Sequence, residues 1–326
     1  MDLGELQKFV ENLLSDNIVY APMKKEAKVF VSPINNFAEI DWTSELPANS
    51  FKSVFLPPEE ILWKNAGKKF KTAFASKKTI ALAMNVLDLQ AFTLFEHVFE
   101  KDIYYQRRRQ NTFVVGFTAG LPDDFRKYKI FHADYEENVL EHLIFDIFIE
   151  KQKNGNFIFF SGSEKGQKLL EENNVKDYEH IEFAGLVPES GMNPRLIANR
   201  KAVELSFNDK LWDELAEICL ACGKCSVVCP TCFCFNLEDD PQLNGVERKR
   251  QWTSCFYPEF SKICGNKKEL AEVKKKLYFW YYHKFVRIPE ELSYYGCVSC
   301  MRCFNVCPVG INIAANLQRL AKNQQK

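Results

Sequence analysis

Two cysteine motifs of identical spacing stand out in the C-terminal part of the chain. Each reads C-x2-C-x2-C-x3-C-P. Their cysteines are Cys219, Cys222, Cys225 and Cys229 in the first motif, and Cys297, Cys300, Cys303 and Cys307 in the second. This is the spacing of bacterial ferredoxins, whose thiolates bind the irons of [4Fe–4S] clusters. The two motifs therefore predict two [4Fe–4S] clusters.

The last cysteine of each motif precedes a proline, and in two-cluster ferredoxins this cysteine binds the other cluster. The exchange gives two predicted ligand sets: Cys219, Cys222, Cys225 and Cys307 for the first cluster, and Cys297, Cys300, Cys303 and Cys229 for the second. Pro230 and Pro308 would redirect the chain after these remote ligands. Because four thiolates complete the coordination of such a cluster, it passes electrons, and no catalytic residue is predicted.

Three other uses of the cysteines are weighed against clusters. Disulfides are disfavoured because no secretion signal is visible and cytosolic thiols are kept reduced. Structural zinc sites use pairs of cysteines joined by longer spacers, so a zinc-bearing interaction module is a weaker alternative. Cys225-x3-Cys229-x2-Cys232 also matches the spacing of radical SAM enzymes, but only 94 residues follow Cys232, where those enzymes place a large barrel.

Two further features of this region have mainly structural interpretations. The remaining cysteines are expected to pack near the clusters rather than bind iron; they are Cys232, Cys234, Cys255 and Cys264. The segment KKKLYFWYYHKFVR, residues 274–287, interleaves basic and aromatic residues, a pattern that can stack on single-stranded nucleic acid. We favour a helix or extended segment that buries its aromatic rings and extends its lysines to water.

The bulk composition is that of a globular protein long enough for two domains. Its 326 residues include 43 Lys+Arg and 43 Asp+Glu, so no net charge favours nucleic acid or an anionic membrane. The first residues lack the positive and apolar segments of a signal peptide. No apolar run approaches the roughly 20 residues that cross a bilayer. We therefore expect a cytoplasmic protein without direct membrane insertion and without a nucleic-acid partner.

The elements that position the cysteines are predicted to follow an α+β domain. Residues 1–208 are expected to form this mixed α/β domain, without metal ligands, and residues 209–326 a small ferredoxin-like domain with two clusters and mostly short elements. Helical spacing occurs at 4–15, 86–98, 164–173 and 211–222. Strand-like runs occur at 27–33, 52–56, 79–84, 112–118, 143–150 and 156–162, with a turn at 153–156. GSEKGQK at 162–168 lacks the phosphate-binding spacing and is interpreted as a helix start.

Several segments together resemble the iron–sulfur β subunit of cytoplasmic NAD(P)-linked [NiFe] hydrogenases (sulfhydrogenases) and the related A subunit of anaerobic sulfite reductase. They are CLACGKCSVVCPTCFCFNLED from 219, RKRQWTSCF at 248–256, YYHKF at 281–285 and GCVSCMRCFNVCPVGI at 296–311. Looser similarity extends upstream, to VYAPMKK at 19–25, KSVFLPPEEILW at 52–63 and DIYYQRRRQNTFVVGF at 102–117. Trp252 and Cys255 match a W-x-SC element of unassigned role.

The resemblance implies an electron-transfer subunit and its partners. These would be a flavin- and NAD(P)-binding reductase subunit and the catalytic subunits, either the small and large [NiFe] hydrogenase subunits or a siroheme sulfite reductase. Many relatives carry additional N-terminal cysteines suited to a further cluster. Here Leu87 and Ala119 stand at two of those positions. We therefore expect no third cluster, and an N-terminal domain that serves as a docking scaffold.

Overall fold

The computed structural model divides the chain into two compact units. It describes residues 1–43, 45–66, 69–72, 78–119, 138–187, 192–243, 245–262 and 269–324. The first unit is Met1–Phe55 with Phe74–Gly191, and the second is Leu56–Ala73 with Met192–Lys326. The fold class is mixed, with helices and sheets, as predicted. The division differs from the predicted boundary after residue 208, because residues 56–73 and 192–208 belong with the cysteine-rich region.

Helices and strands are interspersed along the described residues. The strands are β1 Ile18–Lys25, β2 Lys28–Ile34, β3 Glu59–Ala66, β4 Lys69–Thr72, β5 Thr79–Met84, β6 Thr112–Thr118, β7 Ile147–Lys151, β8 Phe157–Ser161, β9 Glu179–His180, β10 Phe235–Gln242 and β11 Gly245–Trp252. The helices are α1 Leu3–Asp16, α2 Lys52–Phe55, α3 Val86–Val98, α4 Ile103–Gln110, α5 Glu164–Glu172, α6 Pro194–Glu204, α7 Leu211–Ile218, α8 Lys224–Val228, α9 Val273–Tyr282, α10 Ile288–Leu292, α11 Arg302–Asn305 and α12 Ile313–Asn323. Short 3-10 turns cover Phe37–Glu39 and Val139–His142, and a π-helical turn covers His283–Arg287. Among the described helices, none is both long and apolar enough to span a bilayer.

The first unit is built on a seven-stranded sheet in the order β2-β1-β5-β6-β7-β8-β9 within the described residues. The neighbours from β1 to β7 are parallel, whereas β2 and β8 pair antiparallel with β1 and β7. Helix α1 buries Leu6, Phe9, Val10 and Leu13 in the core of this unit, which confirms the amphipathic helix predicted at 4–15. Asp2 and Glu5 form a capping box that fixes where the helix begins.

One predicted strand in this unit is wrong. KSVFL at 52–56 contains the short helix α2 instead. Phe51, Val54 and Phe55 are all buried, and their spacing of three and four residues places them on one helical face. A run of five residues is too short for the apolar pattern to separate a strand from a helical turn.

Gly166 marks a close approach between helix α5 and the loop before β7. The helix begins where the Ser163 hydroxyl accepts a hydrogen bond from the Gly166 amide at 3.1 Å, as predicted for GSEKGQK. A Cβ atom at position 166 would lie 1.9 Å from the carbonyl oxygen of Asp146. Only glycine permits this packing, because the contact is with backbone that cannot turn aside.

We expect Gly166→Ala to destabilise the full-length protein by about 2 to 3 kcal/mol, because the added methyl group forces helix and loop apart. Urea denaturation of the variant beside the wild type measures this change. Gly4→Ala is the matched control, since Gly4 lies in helix α1 and its nearest atom to a new Cβ is Asp2 Oδ1 at 3.4 Å. That control should gain up to about 1 kcal/mol from helix propensity. Equal midpoints for both variants would contradict the packing argument.

A buried ion network fixes the loop before β7 in the same unit. The Asp146 side chain is fully buried and accepts hydrogen bonds from the Val114 amide and the Ser163 hydroxyl, both at 2.8 Å. It also pairs with Arg109 at 3.3 Å and Lys165 at 3.2 Å. Burial acts to lower the pKa of Arg109, but Asp146 and Glu96 more than offset it. The carboxylate is therefore saturated with donors, as a buried charge must be.

The second unit contains a four-stranded antiparallel sheet in the order β10-β11-β3-β4, within the described residues. Pairing of β3 with β11 is the reason that residues 56–73 belong to this unit. Arg250 is 2% exposed and pairs with Glu60 at 2.6 Å across the two strands. The Trp252 indole also donates to the Leu56 carbonyl at 3.0 Å. At eight residues each, β10 and β11 are longer than the short elements expected here.

The other regular elements that the structure describes in the second unit are helical, and they surround an apolar core. Helix α6 packs against α12, which is why residues 192–208 lie with the cysteine-rich region. Trp280 and Tyr281 of α9, with Trp212 of α7 and Leu317 of α12, are buried in this core. Cysteines of both motifs pack against its edge. The core therefore provides the support on which the cysteine loops rest.

Candidate metal centres

Helix α7 delivers the chain to the first cysteine motif. Its Leu211, Trp212 and Leu215 are buried, and the Trp212 indole donates to the Ser206 carbonyl at 2.6 Å. The helix ends at Ile218, four residues before the end predicted from the sequence, and Cys219 is its C-cap in an extended conformation. The cysteines of the first motif therefore begin on a loop that is anchored by a buried helix.

The two motif loops repeat the same backbone geometry. The residues two positions after the first cysteine, Ala221 and Ser299, both have positive φ, of 49° and 57°. Four positions after it, Gly223 and Met301 again have positive φ, of 72° and 58°. Left-handed residues bend a chain sharply, so each loop curls before a short helix begins. The internal sequence repeat is thus also a structural repeat.

In both motifs, a backbone amide donates a hydrogen bond to the sulfur of the first cysteine. The Ala221 amide donates to Cys219 Sγ at 3.4 Å, and Ser299 supplies the equivalent bond to Cys297. The Ile311 amide donates to Cys307 Sγ at 3.3 Å. Hydrogen bonds to cluster sulfurs are one control on reduction potential. The loops therefore present donors suited to thiolates.

All four members of the first predicted ligand set line one cavity. Its walls include Cys219, Cys222 and Cys225 from the first motif together with Cys307 from the second. The cavity has about 480 Å³ of empty space, counting the part that is open to solvent. Apolar side chains complete the lining, among them Phe256, Leu277, Trp280 and Ile311. Cys303 of the second set also borders this cavity. The structure thus brings the remote cysteine to the other motif.

The second predicted ligand set is more deeply placed. Cys229 is 8% exposed, and its three predicted partners, Cys297, Cys300 and Cys303, are partly buried. After burial, the charge of Cys229 contributes to raising the pKa of each of the other three, so they are its electrostatic neighbours. The residues present in both sets, eight thiols in two groups of four, fit two cubane clusters by their chemistry.

Burial keeps most of these thiols protonated in the absence of metal. It raises the pKa of Cys300 to about 12 and that of Cys225 and Cys303 further, with neighbouring cysteines adding to the effect. Cys229 differs, because hydrogen bonding by Cys232 first, and then the Lys284 charge and Thr231, hold its pKa well below the ordinary value. Since metal ligands must be deprotonated, binding would release protons from the thiols whose pKa is raised, Cys225, Cys300 and Cys303 among them.

The remaining cysteines lie beside the ligand sets. Cys232 hydrogen-bonds to Cys229, and Cys255 is 4% exposed, with its pKa raised to about 12 by burial and then by the neighbouring Cys234. Cys264 lies outside the described residues. Within the described ranges, no three His, Cys, Asp or Glu side chains converge closely enough to bind a single metal ion. The packing role predicted for these cysteines stays a prediction.

The basic-aromatic segment 274–287 differs from the prediction in one respect. It is helical and buries aromatic rings, including Trp280, Tyr281 and Phe285, as favoured from the sequence. Its lysines were expected to extend to water, but Lys276 is 7% exposed and Lys284 only 2%. The Lys284 ammonium reaches Cys229 Sγ at 3.2 Å. Sequence reasoning missed this contact, because a lysine among aromatics carries no signal of its partner.

Comparison with known proteins agrees with the iron–sulfur interpretation of the cysteine site. Residues 218–311 match the model of the family described as a 4Fe-4S dicluster domain. The chain is also 27% identical to sulfhydrogenase 2 subunit beta of Pyrococcus furiosus, over 93% of this chain and 92% of that protein. These matches confirm the resemblance found from the motifs. The chain therefore carries a C-terminal 4Fe–4S dicluster domain and is similar, over nearly its whole length, to a sulfhydrogenase beta subunit.

Proposed function

We propose that this chain is the iron–sulfur electron-transfer subunit of a cytoplasmic hydrogenase complex. It would carry electrons between a flavin- and NAD(P)-binding subunit and catalytic subunits that hold a nickel–iron centre. The observation that carries the proposal is the cavity lined by Cys219, Cys222 and Cys225 with Cys307 of the other motif. A loop that bound a lone metal through its own cysteines would have no need of the remote one.

The eight predicted thiolates would hold the two clusters, which supply one-electron transfer when bound. In the first set Cys222 is exposed, and the neighbouring Leu220 is 65% exposed. This set is therefore accessible to a redox partner. The second set, with the buried Cys229, is better shielded from water. This difference in exposure suits electrons that enter at the first set and pass on to the second.

The first unit contributes no cysteine, since the first 218 residues of the chain contain none. We propose that it acts as a scaffold for docking the partner subunits. The relative found by comparison is named as part of a sulfhydrogenase. That name favours hydrogenase subunits over a siroheme sulfite reductase as the catalytic partner.

Iron and acid-labile sulfide, measured per chain on anaerobically purified protein, test the cofactor content. We expect about eight of each, and after dithionite reduction an EPR spectrum broadened by two interacting clusters. About twelve irons would show that the remaining cysteines hold a third cluster. Zinc without sulfide would overturn the electron-transfer function.

The choice of partner needs a separate measurement. The affinity-tagged chain, purified anaerobically from its native cells, should carry a flavin-containing subunit and nickel with it. Reduction of the clusters by hydrogen in that complex would support the hydrogenase assignment. Siroheme in place of nickel would replace it with sulfite reduction.

A further inference from the structure

Lys284 lies buried beside the second predicted ligand set, in the π-helical turn that follows helix α9. All three of its ammonium hydrogens have an acceptor. The Nζ atom lies 2.9 Å from Thr231 Oγ1, 3.0 Å from the Gly296 carbonyl oxygen and 3.2 Å from Cys229 Sγ. The ammonium is therefore held in one position against a cluster ligand.

The backbone of Lys284 is fixed by the same loop. The Gly296 amide donates to the Lys284 carbonyl at 3.2 Å. A Cβ atom at Gly296 would lie 2.4 Å from that carbonyl oxygen and 2.7 Å from Lys284 Cα. Glycine is thus required next to Cys297 so that the loop can close on Lys284. Lys284 therefore contacts the second set in two places. Its ammonium contacts Cys229, and its backbone carbonyl accepts from Gly296, the residue before Cys297.

The charge of this ammonium has no carboxylate partner among its three hydrogen bonds. A buried cation is costly unless an anion compensates it. Of its acceptors, only the Cys229 sulfur can carry negative charge. The Cys229 thiolate therefore compensates the buried charge of the lysine.

We propose that Lys284 raises the reduction potential of the cluster held by Cys229, Cys297, Cys300 and Cys303, and so makes the two clusters unequal. The inference rests on the cluster content of the proposed function. Reduction adds one electron and makes the cluster with its four thiolates more negative by one charge. A cation at close range in a medium of low dielectric stabilises that reduced state more than the oxidised one.

The first set has no equivalent contact among the described residues. Its nearest buried lysine, Lys276, donates to the Phe256 carbonyl at 2.7 Å rather than to a sulfur. The second motif also contains a buried cation, Arg302, which is 2% exposed and directly precedes Cys303 in the sequence. The more positive environment thus belongs to the better shielded cluster. Electrons that enter at the exposed set would collect at the second.

Lys284→Met tests the inference by EPR-monitored redox titration of the anaerobically purified full-length chain. We expect one of the two potentials to become more negative while the other stays at its wild-type value. The single-cluster variant Cys222→Ser, which should retain the second set, identifies which potential belongs to it. Lys276→Met is the matched control, since it removes a buried lysine from the same helical segment that donates to a carbonyl, and the potential of the second cluster should stay in place.

The outcomes separate this inference from the proposed function. A wild-type chain without iron and acid-labile sulfide would overturn the proposed function itself. If Lys284→Met carries both clusters with unchanged potentials, the proposed role of the lysine is overturned and the proposed function stands. If that variant fails to load the second cluster, Lys284→Gln keeps hydrogen-bond donors without the charge and should show the same negative shift. Loss of the second cluster from both uncharged variants would overturn tuning in favour of a purely structural role.

Discussion

Changing Cys300 to serine is expected to lower the iron content from about eight to about four per chain, because each motif anchors one cubane. Cys222→Ser should have the same effect on the other cluster. Cys300 belongs to the more buried second set. Cys222 belongs to the first set, whose four cysteines, including Cys307, line one cavity. Iron and sulfide assays, with the EPR spectrum of the reduced variants, measure the loss.

The spectrum distinguishes a lost cluster from partial loading. A chain with one cluster should give a narrower signal, since the partner that broadens it is gone. Cys255→Ala is the matched control, because this buried cysteine lies beside Cys225 but outside both ligand sets. It should retain about eight irons. Survival of both clusters in either serine variant would show that the ligand assignment is wrong.

Asp146→Ala is expected to destabilise the protein by about 3 to 5 kcal/mol, because it removes a fully buried carboxylate that Arg109, Lys165 and two further donors share. Arg109 is 12% exposed and retains Glu96 at 2.9 Å, whereas Lys165 is one-third exposed and can turn toward water. The Val114 amide and the Ser163 hydroxyl would also lose their acceptor. Urea denaturation of the full-length chain gives the magnitude, and amide hydrogen exchange in β6 and β7 locates it.

An exposed ion pair in the same unit provides the comparison. Lys168 and Glu172 lie 3.9 Å apart on helix α5, with side chains 77% and 60% exposed. Lys168→Ala should change the stability by less than about 0.5 kcal/mol. A loss below about 1 kcal/mol for Asp146→Ala would mean that the network contributes little beyond an ordinary surface pair.

The candidate site was predictable because its information is local. Spacing and proline placement predict eight cysteine ligands, and the predicted exchange of Cys307 into the first set agrees with the cavity that it lines with Cys222. The curled loops were less predictable. Gly223 suggests a left-handed residue, but Ser299 and Met301 adopt positive φ with no such signal in the sequence.

The fold was less predictable wherever stability comes from long-range pairs. Strands β10 and β11 have few apolar residues in alternation and instead pair charges across the hairpin, such as Asp239 with Arg248 and Asp240 with Lys249. Strand β3 depends on β11, and Lys284 on Cys229 55 residues away. The hydrophobic periodicity of the sequence does not reveal partners that lie so far apart along the chain.

The pairing of β3 with β11 has a consequence for how the protein is made. Arg250 meets Glu60 across 190 residues of sequence. At about 5 to 20 residues per second, roughly 10 to 40 seconds of translation separate the two partners. Throughout that interval β3 has an unpaired edge, which is a template for aggregation. Slower translation between the two strands lengthens the period in which a chaperone must shield this edge, before the iron-binding unit can close.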